Sequence, residues 1–233
     1  MIRIASFDIG KKNFSFYIEE FDSAKLLEMK PLPKWKRYNE NGECTLEMEK
    51  LLKKIYLNGK TILHKNLDLT ENCDKKAKLD PETFFNMNSV LDSHILYFDT
   101  CSAFVIEQQM SFGRKVNTMA LKLGQHCYSY FLFRYGRVKE VVEFPAYHKT
   151  QILGAEKVVY IGKKRGKEAK KWKAMEKRNR KKWSVEKAKE ILEMRGESEI
   201  LLNLRTVKKR DDLADTLTQL QAFKYLLFVE RKM

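Results

Sequence analysis

Long apolar runs are missing from this chain: none of its 233 residues belongs to a stretch approaching the roughly 18 consecutive apolar residues that span a bilayer. A membrane-spanning helix is therefore excluded as its organising element. The N-terminus Met1-Ile2-Arg3-Ile4-Ala5-Ser6 enters a strand pattern instead of a signal segment, so a soluble intracellular protein is expected. The four cysteines, Cys44, Cys73, Cys101 and Cys127, include no Cys-x-x-Cys pair, which argues against a zinc site and a disulfide framework. His64, His94, His126 and His148 are equally dispersed, each read as a surface or packing residue, with His148 in a loop within reach of phosphate. Acid is also scarce: 31 Asp and Glu stand against 46 Lys and Arg, a net charge of +15. Such an excess favours polyanions, and nucleic acid is the expected partner in place of a membrane surface. No small-molecule cofactor is expected.

Three acidic clusters stand out within this basic chain: Phe-Asp-Ile-Gly around Asp8 and Val-Ile-Glu-Gln-Gln around Glu107, each at the polar end of an apolar, strand-like run, and Asp-Asp-Leu-Ala-Asp at 211–215, which opens an amphipathic helix. Each acid alone has an ordinary role, as a turn former, a solvated strand end or a complement to a helix dipole. The conjunction changes this, because Asp8 and Glu107 are each embedded in apolar sequence, where an unpaired carboxylate is expensive to desolvate unless a cation or hydrogen bonds compensate it. Carboxylates drawn from distant segments can hold hard cations, and a pair of such cations can clamp both oxygens of a phosphoryl displacement. This pattern points to a metal-dependent nuclease.

Hydrophobic residues at 43% and aromatics at 12% are ordinary for a globular protein, and the length suits one domain. Strands are predicted at 2–8, 13–19, 60–69, 103–107 and 138–144, the first two forming a hairpin about Gly10-Lys11-Lys12. Helices are predicted at 46–56, 84–100, 115–135 and 184–194, the last capped by Ser184 and stopped by Gly196. A final helix begins near Asp211, with Asp211 at its cap, and buries Leu213, Leu217, Leu220, Phe223 and Leu227. The order predicts an α/β fold, with an insertion at 31–81 around the third strand and a basic excursion at about 160–195. If strands one and four are neighbours, Asp8 and Glu107 converge at one sheet edge. A C-terminal helix across that edge then adds Asp212 and Asp215, which share one helical face.

These residues resemble a family: Ser-Phe-Asp-Ile-Gly-Lys-Lys-Asn at 6–13, Val-Ile-Glu-Gln-Gln at 105–109 and Lys-Lys-Arg-Asp-Asp-Leu-Ala-Asp at 208–215 are similar to the motifs of the RuvC-like Holliday junction resolvases. The likeness is to the poxvirus type and its fungal mitochondrial relatives, and it spans nearly the whole chain. It implies an RNase H-like fold, a mixed five-stranded sheet flanked by helices. It further implies that Asp8, Glu107, Asp212 and Asp215 are catalytic ligands of two Mg²⁺ ions, for which Mn²⁺ substitutes. The implied substrate is branched DNA, above all the four-way junction, cut by a homodimer whose interface helix is placed at 115–135. The implied setting is viral DNA replication. Segment 34–56 has no counterpart in the family pattern.

The expected DNA contacts are Lys11, Lys12, Gln108, Gln109, Lys149, Lys163, Lys164, Arg165, Lys170, Lys171, Arg178, Arg180, Lys181 and Lys182. Gln108 and Gln109 suit phosphate or base edges, or a polar strand exit. Lys149 is either a solvated loop lysine or a contact to the scissile phosphate. Trp172 and Trp183 either stack on unpaired bases or pack against the domain.

Overall fold

The alternation of the strands decides which layer each residue joins. In the computed structural model, residues 1–74, 76, 78–109, 116–164 and 167–232 are described, with 163, 164 and 167–169 described by backbone alone. β1 (Ile2–Asp8) and β2 (Phe14–Phe21) form the expected antiparallel hairpin, from Ile2 opposite Phe21 to Asp8 opposite Ser15. After α1 (Ser23–Leu27), a 3-10 turn at Lys34–Lys36 and α2 (Leu46–Leu57), β3 (Lys60–Leu67) adds antiparallel to β2. α3 (Pro81–Ser93) and α4 (Ile95–Phe98) lead into β4 (Ala103–Gln108), which lies parallel to β1. α5 (Thr118–Tyr135) carries the chain to β5 (Glu140–Pro145), parallel to β4 and followed by α6 (Tyr147–Ile152). β6 (Lys157–Lys164) and β7 (Lys167–Ala174) make a separate antiparallel ribbon. Then come α7 (Lys177–Arg195), α8 (Ser198–Thr206) and α9 (Arg210–Lys224), which continues as a π-helical turn at Tyr225–Val229.

The main sheet is thus mixed and five-stranded, in the order β3-β2-β1-β4-β5. Period two divides its side chains. Ala5, Phe7, Phe14, Phe16, Phe104 and Ile106 pack on one face with residues of α3, α4 and α5, including Met87, Phe98 and Phe131. Ile4, Tyr17, Phe21, Ala103 and Val105 pack on the other with residues of α2, α7 and α9, including Leu52, Ile191 and Leu217. Among the described residues no helix is long and apolar enough to cross a membrane.

The second face also holds a charge cluster. Glu19 lies at a register shift between β2 and β3, fully buried, and accepts from Lys224 Nζ at 2.5 Å, Gln221 Nε2 at 2.6 Å and Tyr17 Oη at 2.7 Å, with Arg195 Nη2 at 3.0 Å. Gly59 closes over it: a β-carbon there would meet Glu19 Oε1 at 2.1 Å, so the position has room for hydrogen alone.

Several expected boundaries move. The helix expected at 84–100 starts at Pro81 and divides at His94, whose φ of −109° and ψ of 12° are not helical. Ser93 Oγ donates to the Val90 carbonyl at 2.8 Å and His94 Nδ1 approaches the same oxygen at 2.8 Å, so side chains compete for a backbone acceptor. The helix expected at 184–194 begins at Lys177, and Ser184 is a buried interior residue instead of a cap. Its first turns are solvated and basic, with no apolar stripe to announce them. Gly196 does end it. The helix at 198–206 has no counterpart among the predicted elements, because Asn203, Arg205 and the lysines after them read as a polar connection. The strands expected at 60–69 and 138–144 run 60–67 and 140–145, and the helix expected at 115–135 runs 118–135. Leu227 is half-buried, in the π-helical turn.

Candidate active site

The carboxylates arrive by register. Ser6 and Phe7 of β1 stand beside Val105 and Ile106 of β4, the last pair of that ladder, so the next residues, Asp8 and Glu107, follow at the same end of two neighbouring strands. Both belong to the alternation that faces α9, the one carrying Ile4, Ala103 and Val105. α9 is fastened to these strands by Gln219, which is buried and donates from Nε2 to Ser6 Oγ at 3.0 Å and to the Phe7 and Val105 carbonyls at 3.3 Å each. One turn before it on the same helical face is Asp215, and Asp212 lies three residues earlier. Glu107, Asp215 and Asp212 all lie near enough for their charges to act on the Asp8 carboxyl.

Lys149 stands among them. It is a residue of α6, only 6% exposed, with Nζ donating to Glu107 Oε2 at 2.6 Å and lying 3.5 Å from Asp215 Oδ1. The solvated-lysine reading is therefore corrected. Burial alone would depress its ammonium, but Asp215, Glu107 and Asp8 outweigh burial and raise it above the ordinary lysine value. Asp8 is half-buried, and burial followed by the charge of Glu107 raises its carboxyl well above the usual range despite Lys149. At Asp212 burial and Asp211 push the carboxyl up to about 6, against the pull of Lys181. Asp211 is not the cap, which falls at Lys209; it sits in the first turn and forms an ion pair with Lys181, whose Nζ is also 3.9 Å from Asp212 Oδ1. Lys181, expected on DNA, thus first serves this acidic turn.

Asp215 has a further partner that the sequence did not reveal. Ser184 Oγ donates to Asp215 Oδ1 at 2.7 Å and lies 3.2 Å from Thr218 Oγ1, so α7 orients the carboxylate from behind. Glu107, Lys149, Lys181, Ser184 and Asp215, with Arg180 at the rim, line a cavity of about 170 Å³. Glu107 and Asp215 on this lining, with Asp8 and Asp212 close by, make an all-oxygen donor set of the kind that suits a hard divalent cation, and Lys177, Arg180 and Lys181 line the same cavity. Among the described residues no three acidic, cysteine or histidine side chains are already drawn into coordination range of one another.

The remaining expected contacts surround this centre. Gln108 is exposed, whereas Gln109 is half-buried and donates from Nε2 to the Glu107 carbonyl at 3.2 Å, bracing the strand exit. Lys12 is exposed; Lys11 Nζ donates to the Lys78 carbonyl at 3.3 Å. Lys170 and Lys171 are on β7, and Arg178, Arg180 and Lys182 are exposed on α7. Lys163 and Lys164 are described by backbone alone, and Arg165 lies outside the described residues. His148 belongs to α6, not a loop. Trp183 packs partly against the α2–α7–α9 core, and Trp172 is 39% exposed on the ribbon.

Gln219 offers a test of this construction. Gln219→Leu keeps the volume but removes three donated bonds, and is expected to lower catalytic turnover by about tenfold or more while weakening substrate binding little, since small displacements of reacting groups are costly. Turnover and binding measured separately, with a melting curve to verify folding, check it.

No protein-family model matches the chain. Protein 170L of Invertebrate iridescent virus 6, itself uncharacterized, is 34% identical over 238 residues, covering 99% of this chain and 92% of 170L. Protein 97L of Invertebrate iridescent virus 3, also uncharacterized, is 26% identical over 227 residues, covering 95% of this chain and 98% of 97L. Among solved structures, fowlpox virus resolvase in complex with its Holliday junction DNA substrate superposes with a TM-score of 0.53 at 18% identity, over 97% of this chain and 99% of that one. The shared architecture bears out the fold expected from the three motifs.

Proposed function

From the premise that this chain belongs to the family of iridescent virus protein 170L, we propose that it is a metal-dependent endonuclease that resolves four-way DNA junctions by paired nicks. The observation that carries this reading is the gathering of Asp8, Glu107 and Asp215 about buried Lys149, with Asp212 near enough to act on Asp8, on a fold shared with fowlpox virus resolvase. A noncatalytic DNA-binding protein has no need of four acids where phosphate must approach.

In this reading the four carboxylates would hold two Mg²⁺ ions. When bound, such ions supply Lewis-acid activation of water and charge stabilisation at the leaving 3′ oxygen. The protein's own part is positioning. Ser184 fixes Asp215, Gln219 fixes α9 against the two strands, and Lys149 holds Glu107 and Asp215 together and brings positive charge to where the scissile phosphate docks. The ribbon and the exposed face of α7 carry Lys170, Lys171, Arg178, Arg180 and Lys182 along the DNA backbone, which makes affinity steeply dependent on salt.

Paired nicks require two sites, and the outer face of α5 supports a homodimer. Phe133 is 93% exposed there, beside Leu132 at 41%, and Phe85 of α3 is 62% exposed. Phe133, Tyr130, His126 and Asn88 border a shallow cavity of about 440 Å³ that a second copy would fill. A two-fold axis across this face gives each strand of the junction its own site.

The test is cleavage of a labelled immobile four-way junction and a matched linear duplex, each with Mg²⁺ and with EDTA. Metal-dependent, symmetric paired nicks in the junction alone are expected. Cleavage of RNA–DNA hybrids in preference to the junction, or tight binding without cleavage, would overturn the assignment. In the same assay Phe133→Asp is expected to sediment as a monomer and to lose paired nicking, with single nicks at a rate at least about tenfold lower.

A further inference from the structure

A second cavity, of about 570 Å³, adjoins the carboxylate cavity and shares Thr150 and Arg180 with it. Its volume falls within the roughly 300–1,000 Å³ of ligand-binding clefts. Three aromatic side chains from distant segments face it: Tyr38 of the 31–81 insertion, Tyr147 of α6 and Trp172 of the ribbon. Tyr147 is 53% exposed and Trp172 39%, so these two rings are not consumed by core packing, while Tyr38 is half-buried and packs partly against the core. Gln151 and Asn39 add amides able to pair with a polar edge.

From this arrangement we propose that the cavity receives one unstacked nucleobase next to the scissile phosphate. The proposal rests on the endonuclease reading and adds to it a base-binding subsite. Planar aromatic walls with a few amides suit a nucleobase, whose faces stack and whose edges hydrogen-bond. Glu156 and Lys157 on the lining offset each other, so no net cation stands on the aromatic side, whereas Arg180, which also lines the carboxylate cavity, suits a phosphate. The division places the base on the aromatic side and the phosphate on the acid-and-lysine side, one nucleotide spanning the two.

The walls are built in advance of any ligand. Tyr38 Oη donates to the Ile152 carbonyl at 3.0 Å, tying the insertion to α6. The loop beyond it turns on Gly42, at φ +87°, with Gly42 N donating to the Asn39 carbonyl at 2.9 Å. Lys157 N at the root of the ribbon donates to the Asn41 carbonyl at 2.7 Å. A β-carbon on Gly42 would press within 3.1 Å of the Lys157 side chain. The insertion, for which the sequence motifs provide no role, thus supplies one wall of the subsite and anchors the base of the basic ribbon. Preorganisation of this kind lowers the ordering cost of binding.

The experiment uses four-way junctions with a single abasic residue at each nucleotide flanking the cut in turn. Wild type, Trp172→Ala, Tyr147→Ala and Trp172→Phe are compared in cleavage, and the same substitutions in an Asp8→Asn background are compared in equilibrium binding. At one position, loss of the base is expected to slow wild-type cleavage and weaken binding by about tenfold, the scale of one base–aromatic stack. Trp172→Ala or Tyr147→Ala on the intact junction is expected to match that loss and to show less than about twofold further loss on the abasic one, with Trp172→Phe restoring the difference. Independent, multiplying effects, or indifference to every abasic position, would overturn the subsite. Failure of the endonuclease reading looks different: wild type then cuts no junction at all, while the binding comparison still decides whether base and aromatic walls are coupled.

Discussion

Asp8→Asn is expected to leave four-way junction binding within about twofold of wild type and to lower cleavage by about a thousandfold or more, the scale on which a directly acting electrostatic group is lost. Asp8 ends β1 at the point where the sheet delivers it opposite Glu107, and Asp215 and Asp212 from α9 complete the negative field around it. An amide of equal size keeps the packing and removes the charge. Binding rests on cations elsewhere, on the ribbon and α7, so it survives. The substitution has a second consequence of opposite sign. Burial and Glu107 already push the Asp8 carboxyl well above its ordinary value, so the ionised side chain costs the metal-free protein stability. A folded-state value above the unfolded one means that stability falls as pH rises past the unfolded carboxylate range. Asp8→Asn removes this cost and is expected to raise the melting temperature of metal-free protein at neutral pH. A variant that lost binding with cleavage, or melted lower than wild type, would mean that Asp8 serves the fold.

The largest effect on stability is expected at Glu19→Gln. The Glu19 carboxylate is fully buried and answers two cations, Lys224 at 2.5 Å and Arg195 at 3.0 Å, while Tyr17 and Gln221 donate to it as well. Breaking one member of a buried ion pair strands the others and costs about 3–5 kcal/mol. For a chain of this size that is roughly 10 °C in melting temperature. Burial alone would raise Glu19, but Arg195 and Lys224 overcome it and bring the carboxyl down to about 2. Its contribution is therefore fully present above about pH 4.5 and is lost as pH falls from there toward 2. At Lys224 burial prevails, helped by Arg195, and lowers the ammonium to about 8 in spite of Glu19. The unfolded chain thus binds more protons between about 8 and 10.5, and stability rises with pH through that window as well. Thermal melts from acid to alkaline pH check both slopes. Adding Lys224→Met to Glu19→Gln is expected to recover part of the loss by removing a stranded cation. Equal stability of wild type and Glu19→Gln would refute the account.

Asp8 and Glu19 are both carboxylates of the first hairpin, yet only one of them is marked in the sequence. Asp8 and Glu107 were legible because each ends an apolar run of strand length, and period two with a parallel pairing is enough to bring two strand ends to one edge. Asp212 and Asp215 were legible because a spacing of three on an amphipathic helix fixes a common face. Glu19 gave no such sign: Phe14-Ser15-Phe16-Tyr17-Ile18-Glu19-Glu20-Phe21 marks a strand but does not say that one of its acids is drowned among an arginine and a lysine some two hundred residues away in the chain.

Short-range periodicity along the chain encodes the five main strands, the antiparallel opening hairpin, the burying stripe of the last helix, and the positions of the four acids at or near the ends of these elements. The tertiary structure alone decided which polar residues answer those acids. Lys149 is 42 residues from Glu107, Ser184 is 31 from Asp215, and Gln219 is 213 from Ser6, so no local pattern distinguishes them from solvated lysines, caps or helix-surface amides. The tertiary structure also turned an apparently uniform basic stretch into an exposed ribbon and the first turns of a helix, since neither buries an apolar face whose period could be read. Apolar periodicity is written along the chain because it is repeated every few residues. A buried lysine or serine is placed once, by the packing of distant elements, and its meaning exists only after the chain has folded around it.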